Sequence, residues 1–114
     1  MKNHKDQAFV LTDAVPAEEL GGGVRRSVLV YSDDIMVCRL HFDKGAVGAV
    51  HSHPHTQVTY ILSGSFEFTV GGERRIVTSG DSILDLPDVE HGCVCIEEGE
   101  LLDVFSPMRE SFVK

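Results

Sequence analysis

His51-Ser52-His53-Pro54-His55-Thr56-Gln57, together with the distant His91, decides how this chain is read. Successive side chains of an extended segment point to opposite faces, so His51 and His53 share one face and are expected to grip a single metal ion together. Pro54 breaks that alternation and sets His55 apart, at the mouth of a pocket or on the surface.

Outward from this stretch the chain reads as short β segments separated by turn residues, the spacing of an all-β barrel or sandwich. Segments are predicted over residues 24–31, 35–42, 58–62, 66–70, 73–78, 82–86 and 101–105, with another led by His91. Met36, Cys38, Leu40 and Phe42 align on one face, as do Phe66, Phe68 and Val70, and as do His91, Cys93 and Cys95. Gly71-Gly72 is a hairpin signal, because both central positions of a type I′ turn require positive φ. Residues 66–70 and 73–78 should therefore be antiparallel neighbours. Residues 1–23 show no period and read as an N-terminal arm, with one helical turn near Pro16 stopped by Gly21-Gly22-Gly23. Residues 24–114 form the barrel domain.

A chain of 114 residues has room for one hydrophobic core and no second domain. Ten basic against eighteen acidic residues give a net charge of −8, which disfavours nucleic acid and anionic membrane surfaces and leaves small molecules as partners. No apolar run is long enough to span a bilayer. Met1-Lys2-Asn3-His4-Lys5 has the charge of a secretory leader, but Asp6 and Gln7 stand where its apolar region should begin, so a cytoplasmic location is expected. Three cysteines, Cys38, Cys93 and Cys95, are an odd number for a disulfide framework and suit a reducing compartment as buried thiols. An arm without its own partner and exposed sheet edges point to a homodimer.

The glycine and proline frame around the histidines carries a resemblance. Gly45, His51, His53, Gln57 and Gly64, followed by Gly80-Asp81, Pro87-Asp88 and His91, resemble the two-part signature of the cupin superfamily. That resemblance implies a small antiparallel jelly-roll β-barrel, in agreement with the strand reading. It also implies a divalent transition metal (Zn, Ni, Fe or Mn) held by His51, His53, Gln57 and His91. Three positions depart from the superfamily pattern: Gln57 stands for a glutamate, Asp88 for a turn glycine and Cys95 for an asparagine. Asp88 is tolerable because Asp visits the left-handed region more readily than most residues. Gln57 is a neutral ligand, so with three imidazoles the ion would keep its full +2 charge and be a stronger electrophile.

Gly45-Ala46-Val47-Gly48, Phe66-Glu67-Phe68-Thr69-Val70-Gly71-Gly72-Glu73 and residues 101–110 look like the KdgF-type small cupins of pectin and alginate degradation, in which Gln is itself the pattern at the position of Gln57. The resemblance implies ring opening of 4,5-unsaturated uronates, small anionic sugars, to 5-keto-4-deoxyuronate. It assigns active-site roles to the positions of Asp103, Phe105 and Arg109. We read Asp103 as the general acid/base, Arg109 as a bidentate clamp on the sugar carboxylate, and Phe105 as a wall of the pocket. Asp103 and Phe105, two residues apart on one strand, should face the interior together. The competing readings are an oxidative metal cupin and a non-enzymatic metabolite-binding barrel.

Overall fold

Gly71 and Gly72 adopt φ of 55° and 87°. The strands they join pair antiparallel from Ser65↔Thr78 to Val70↔Glu73, the hairpin expected from the Gly-Gly step. This computed structural model describes residues 4–114, so Met1-Lys2-Asn3 of the leader reading lies outside the described residues.

Ten strands follow one another: β1 (Glu18–Gly21), β2 (Val24–Tyr31), β3 (Met36–Phe42), β4 (Val47–His51), β5 (Thr56–Ile61), β6 (Ser65–Val70), β7 (Glu73–Thr78), β8 (Ser82–Asp85), β9 (His91–Glu97) and β10 (Gly99–Ser106). They form a six-stranded sheet, β1-β2-β3-β10-β5-β8, and a four-stranded sheet, β4-β9-β6-β7. All of the pairings are antiparallel. The chain is a single all-β jelly-roll, and among the described residues the only helical elements are 3₁₀ turns at Thr12–Ala14 and Glu110–Phe112. Among the described residues no helix is long and apolar enough to cross a membrane.

Between the sheets, Met36, Cys38, Leu40 and Phe42 of β3 alternate inward as their spacing predicts and meet Phe66 and Phe68 of β6. Phe66 is fully buried and packs edge-to-face on Phe42 with ring centroids 5.4 Å apart. Burying a side chain of that size contributes about 1.5–3 kcal/mol.

Two expectations need correction. The helical turn placed near Pro16 is absent: the 3₁₀ turn of this region lies earlier, at Thr12–Ala14, and Glu18–Gly21 is instead a strand that adds β1 to the edge of the larger sheet through Glu18↔Arg26 and Glu19↔Arg25. The histidine stretch is not one strand either, because β4 ends at His51 and His53 lies in the loop beyond it. β4 escaped the pattern reading because Val47, Ala49 and Val50 are exposed and no alternation of burial marks it.

Candidate metal centre

His51 ends β4 and His91 opens β9, and these two residues face each other across the strand pair. Continuing the register of Gly48↔Cys93 would put Val50 opposite His91, but the pairing slips by one residue before His51. Irregularities of this kind re-aim a side chain at a sheet edge. Gly92 makes room for the slip: a Cβ there would lie 2.8 Å from the Gly48 carbonyl oxygen and 2.9 Å from Val50 Cα. The second motif fixes His53, since the Asp88 amide donates to the His53 carbonyl at 2.8 Å and Asp88 takes a left-handed φ of 67°. Asp88 thus takes the conformation that the resemblance to the superfamily pattern expects of a turn glycine there.

The result is a cluster in which ring nitrogens of His51, His53 and His91 all lie within 4.8 Å of one another. His51 Nδ1 donates to the Ala49 carbonyl at 2.8 Å, and His91 Nδ1 to the Val89 carbonyl at 3.0 Å. Protons held at Nδ1 leave the Nε2 lone pairs free, the tautomer in which imidazole ligates a metal. His91 Nε2 is buried without a hydrogen-bond partner, and so is His53 Nδ1. Burial holds the His53 and His91 imidazoles below their ordinary range, which keeps them in the neutral form that binds metal. This donor set fits a divalent transition metal.

Gln57 sits beside the imidazoles on β5. Its Nε2 donates to Thr59 Oγ1 at 3.1 Å and to Asp103 Oδ1 at 3.0 Å, while its Oε1 accepts from His53 Nε2 at 3.0 Å. Those two donations fix the orientation of the amide, so its oxygen can only face the histidines. Cross-strand register accounts for the grouping: Phe105 pairs with Gln57, Asp103 with Thr59, and Asp85 of β8 with Gln57 from the other side. Asp103 also accepts from the Thr59 hydroxyl at 2.6 Å. Burial pushes its carboxyl up to about 6, against the two hydrogen bonds, which pull it down.

A cavity of about 280 Å³ opens onto these groups, lined among others by His51, Gln57, His91, Asp103, Phe105 and Arg109. The Arg109 guanidinium stands 5.2 Å from the Phe105 ring centre and 4.6 Å from that of Phe112. His55 remains outside the three-imidazole cluster. Its ring packs on His53 at 5.3 Å and on Phe105 at 6.5 Å, and it lines the outer cleft with Met108 and Arg109. The cysteines are free, buried thiols, with Cys38 and Cys93 pushed up to about 12 by burial. None of them belongs to the metal-competent groups found among the described residues, although Cys93 lines the cavity.

Sequence reasoning missed four residues of this site. Arg26 lines the cavity and stacks on Phe112, its guanidinium carbon 3.6 Å from the ring centre. An arginine between Val24 and Val28, both buried on the same face of β2, was the available signal. Thr59 and Asp85 are wholly buried. Asp85 carried no such signal, because its neighbours Leu84 and Leu86 are exposed on the other face. Phe112 lies in a C-terminal 3₁₀ turn that carries no periodic signal.

Comparison with known proteins gives the same picture. The Cupin domain family model matches residues 38–105. The pectin degradation protein KdgF of Dickeya dadantii (strain 3937) is 43% identical over 107 residues, spanning 92% of this chain and 97% of that protein. An RmlC-like cupin from Shewanella frigidimarina superposes with a TM-score of 0.91 at 41% identity, covering 94% of this chain and 96% of the other. KdgF from Halomonas sp. superposes with a TM-score of 0.89 at 31% identity, covering 92% and 97%. Fold, signature and relatives agree, and the chain belongs to the cupin family as a small single-domain member of the KdgF kind.

Proposed function

We propose that this protein is a metal-dependent enzyme of pectin or alginate breakdown that opens the ring of 4,5-unsaturated uronate monosaccharides to give linear 5-keto-4-deoxyuronate. The observation that carries the reading is the placement of a half-buried acid, Asp103, and a cation, Arg109, on the same small cavity as His51 and His91 of the three-imidazole cluster. A KdgF relative named for pectin degradation supports a sugar acid as substrate.

The reaction is an isomerisation. The anomeric hydroxyl loses a proton, the bond from C1 to the ring oxygen breaks to leave an aldehyde and an enolate, and the enolate becomes a ketone as C4 gains a proton. Arg109 holds the uronate carboxylate by paired N–H bonds, and the Phe105 ring limits how the sugar can lie. Asp103 takes the anomeric proton and returns one to C4, a role that suits a carboxyl raised to about 6. Gln57 and Thr59 hold Asp103 in place by donating to one of its oxygens, leaving the other for the substrate. A divalent ion bound by His51, His53, Gln57 and His91 would supply Lewis-acid stabilisation of the developing enol oxygen.

The test is to incubate the purified protein with the unsaturated monosaccharide released by a pectate lyase, under anaerobic conditions, and follow loss of the double-bond absorbance with and without chelator. Loss that chelation abolishes supports the reading, and an unchanged absorbance overturns it. A requirement for oxygen would favour the oxidative alternative. The proposal includes a cytoplasmic homodimer: the thiols are free, and the outer face of the smaller sheet exposes Val47, Val94 and Ile76. Sedimentation at the mass of one 12.5 kDa chain would remove the dimer.

A further inference from the structure

We propose that Asp85 is a carboxylate ligand of the metal centre and supplies the negative charge that Gln57 lacks. This rests on the metal-dependent reading above and adds to it a residue outside the expected ligand set.

Asp85 is the last residue of β8 and has no solvent exposure. It lies directly opposite Gln57 in the β5–β8 register, so the two side chains stand side by side on the inner face. Neither of its carboxylate oxygens has a hydrogen-bond partner. A buried carboxylate without a partner is costly, and buried charges are kept where they pair or coordinate metal.

The basic group within reach of Asp85 is His91. Asp85 Oδ2 lies 3.7 Å from His91 Nε2, too far for a hydrogen bond. His91 already gives its Nδ1 proton to the Val89 carbonyl, so its Nε2 presents a lone pair, and that atom too is buried without a partner. Two groups that can each accept a proton or a metal therefore face each other with no hydrogen bond between them, and a shared cation would satisfy both. Ligands held at about 2.1 Å from one ion are about 3.0 Å apart at right angles and about 4.2 Å apart when opposed, and 3.7 Å falls within that span. The usual outer role, a carboxylate accepting the second N–H of a ligating histidine, is closed to Asp85 because Val89 holds that proton. Asp85 is not part of the group in which the ligand atoms of His51, His53 and His91 all lie within 4.8 Å of one another, so its carboxylate, now 3.7 Å from His91 Nε2, has to move further in from the β8 side to share their ion.

The arrangement changes the charge balance. Three neutral imidazoles and Gln57 would leave a divalent ion at +2, and Asp85 lowers it to +1. The negative charge then enters from β8, one strand sideways from Gln57. That displacement leaves the Gln57 position to an amide, which can donate to Asp103 where a carboxylate would repel it.

Metal-free wild type, Asp85→Asn, Asp85→Ser and His91→Ala proteins, checked for native circular dichroism, are titrated with Co(II) and followed by calorimetry and the visible absorption of the ion. Asp85→Asn and Asp85→Ser are expected to weaken binding at least tenfold and to alter the Co(II) spectrum. Affinity and spectrum equal to wild type in those variants, with binding lost in His91→Ala, would overturn the role of Asp85 alone. No binding of Co(II) or Zn(II) by wild type would overturn the metal reading itself. If both Asp85 variants fail to fold, a crystal structure of Zn-loaded wild type decides: an Asp85 oxygen at about 2.0–2.2 Å from the ion supports the assignment, and one beyond about 3 Å overturns it.

Discussion

Gln57 donates through its amide nitrogen to Asp103 Oδ1 across 3.0 Å, so the residue beside the imidazoles also holds the cavity's acid. Glutamate at this position could still face the histidines but would set an oxygen against an oxygen. Gln57→Glu should therefore bind metal at least as tightly as wild type while turning over unsaturated uronate about 10²-fold more slowly, the usual weight of acid/base catalysis. Calorimetry and the absorbance assay separate the two effects, and faster turnover would disprove the idea.

Asp103→Asn separates charge from shape. An asparagine oxygen can still accept from Gln57 Nε2 and Thr59 Oγ1, so the scaffold around the histidines is retained. Metal affinity should stay within a factor of about two, while turnover drops by about 10² or more. Near-wild-type turnover would remove Asp103 from the chemistry.

Gly92→Ala probes the close approach of β4 to β9. The added Cβ meets backbone atoms at 2.8 and 2.9 Å, so β4 must move away and carry His51 from His91. Overpacking of this kind costs about 1–3 kcal/mol. The melting temperature should fall, and calorimetry should show metal binding weakened by tenfold or more. Unchanged affinity would mean that the slip in register does not depend on this glycine.

The strands that alternate are the ones the sequence exposed to reading. β3 buries Met36, Cys38, Leu40 and Phe42 and was placed to within a residue, as was the hairpin at Gly71-Gly72. β1 and β4 were not legible, because their outward residues are held by pairing to a neighbour and not by burial of one face. The chain segments that meet at the site were recognisable from the spacing of His51, His53 and His91. The expectation that Asp103 and Phe105 share a face agrees with their register to Thr59 and Gln57. What joins His51 to His53 was not visible, since it is a register slip and a loop tied to Asp88, not strand alternation. Asp85 and Arg26 went unread because a single polar residue on an apolar face has no periodicity of its own.

Asp88 tests the tie to His53. Its φ of 67° lies in the region that favours glycine, and its amide donates to the His53 carbonyl. Asp88→Gly should leave stability within about 0.5 kcal/mol of wild type, whereas Asp88→Val should cost about 1–2 kcal/mol because a β-branched side chain fits that conformation poorly. Urea melts of metal-free protein measure both. Equal stability of the valine variant would show that the turn can relax without this conformation.

Glu100 gives the pH dependence. Arg39 donates to it from Nε at 3.1 Å and from a second guanidinium nitrogen, and His41 Nδ1 lies 3.3 Å away, which together hold its carboxyl below the ordinary value of 4.5. A carboxyl whose folded value lies below its unfolded value binds fewer protons when folded, so its contribution is complete above the unfolded value and disappears as pH falls through the folded one. Both side chains are partly exposed, at 39% for Arg39 and 30% for Glu100, so the pair is worth about 1 kcal/mol or less. Arg39→Ala should therefore be less stable than wild type by up to that amount at neutral pH, with the gap closing as pH drops below 4.5 and narrowing in high salt. Denaturant melts across that range decide the matter: a gap independent of pH and salt would assign the effect of Arg39 to packing of its aliphatic stem and not to its charge.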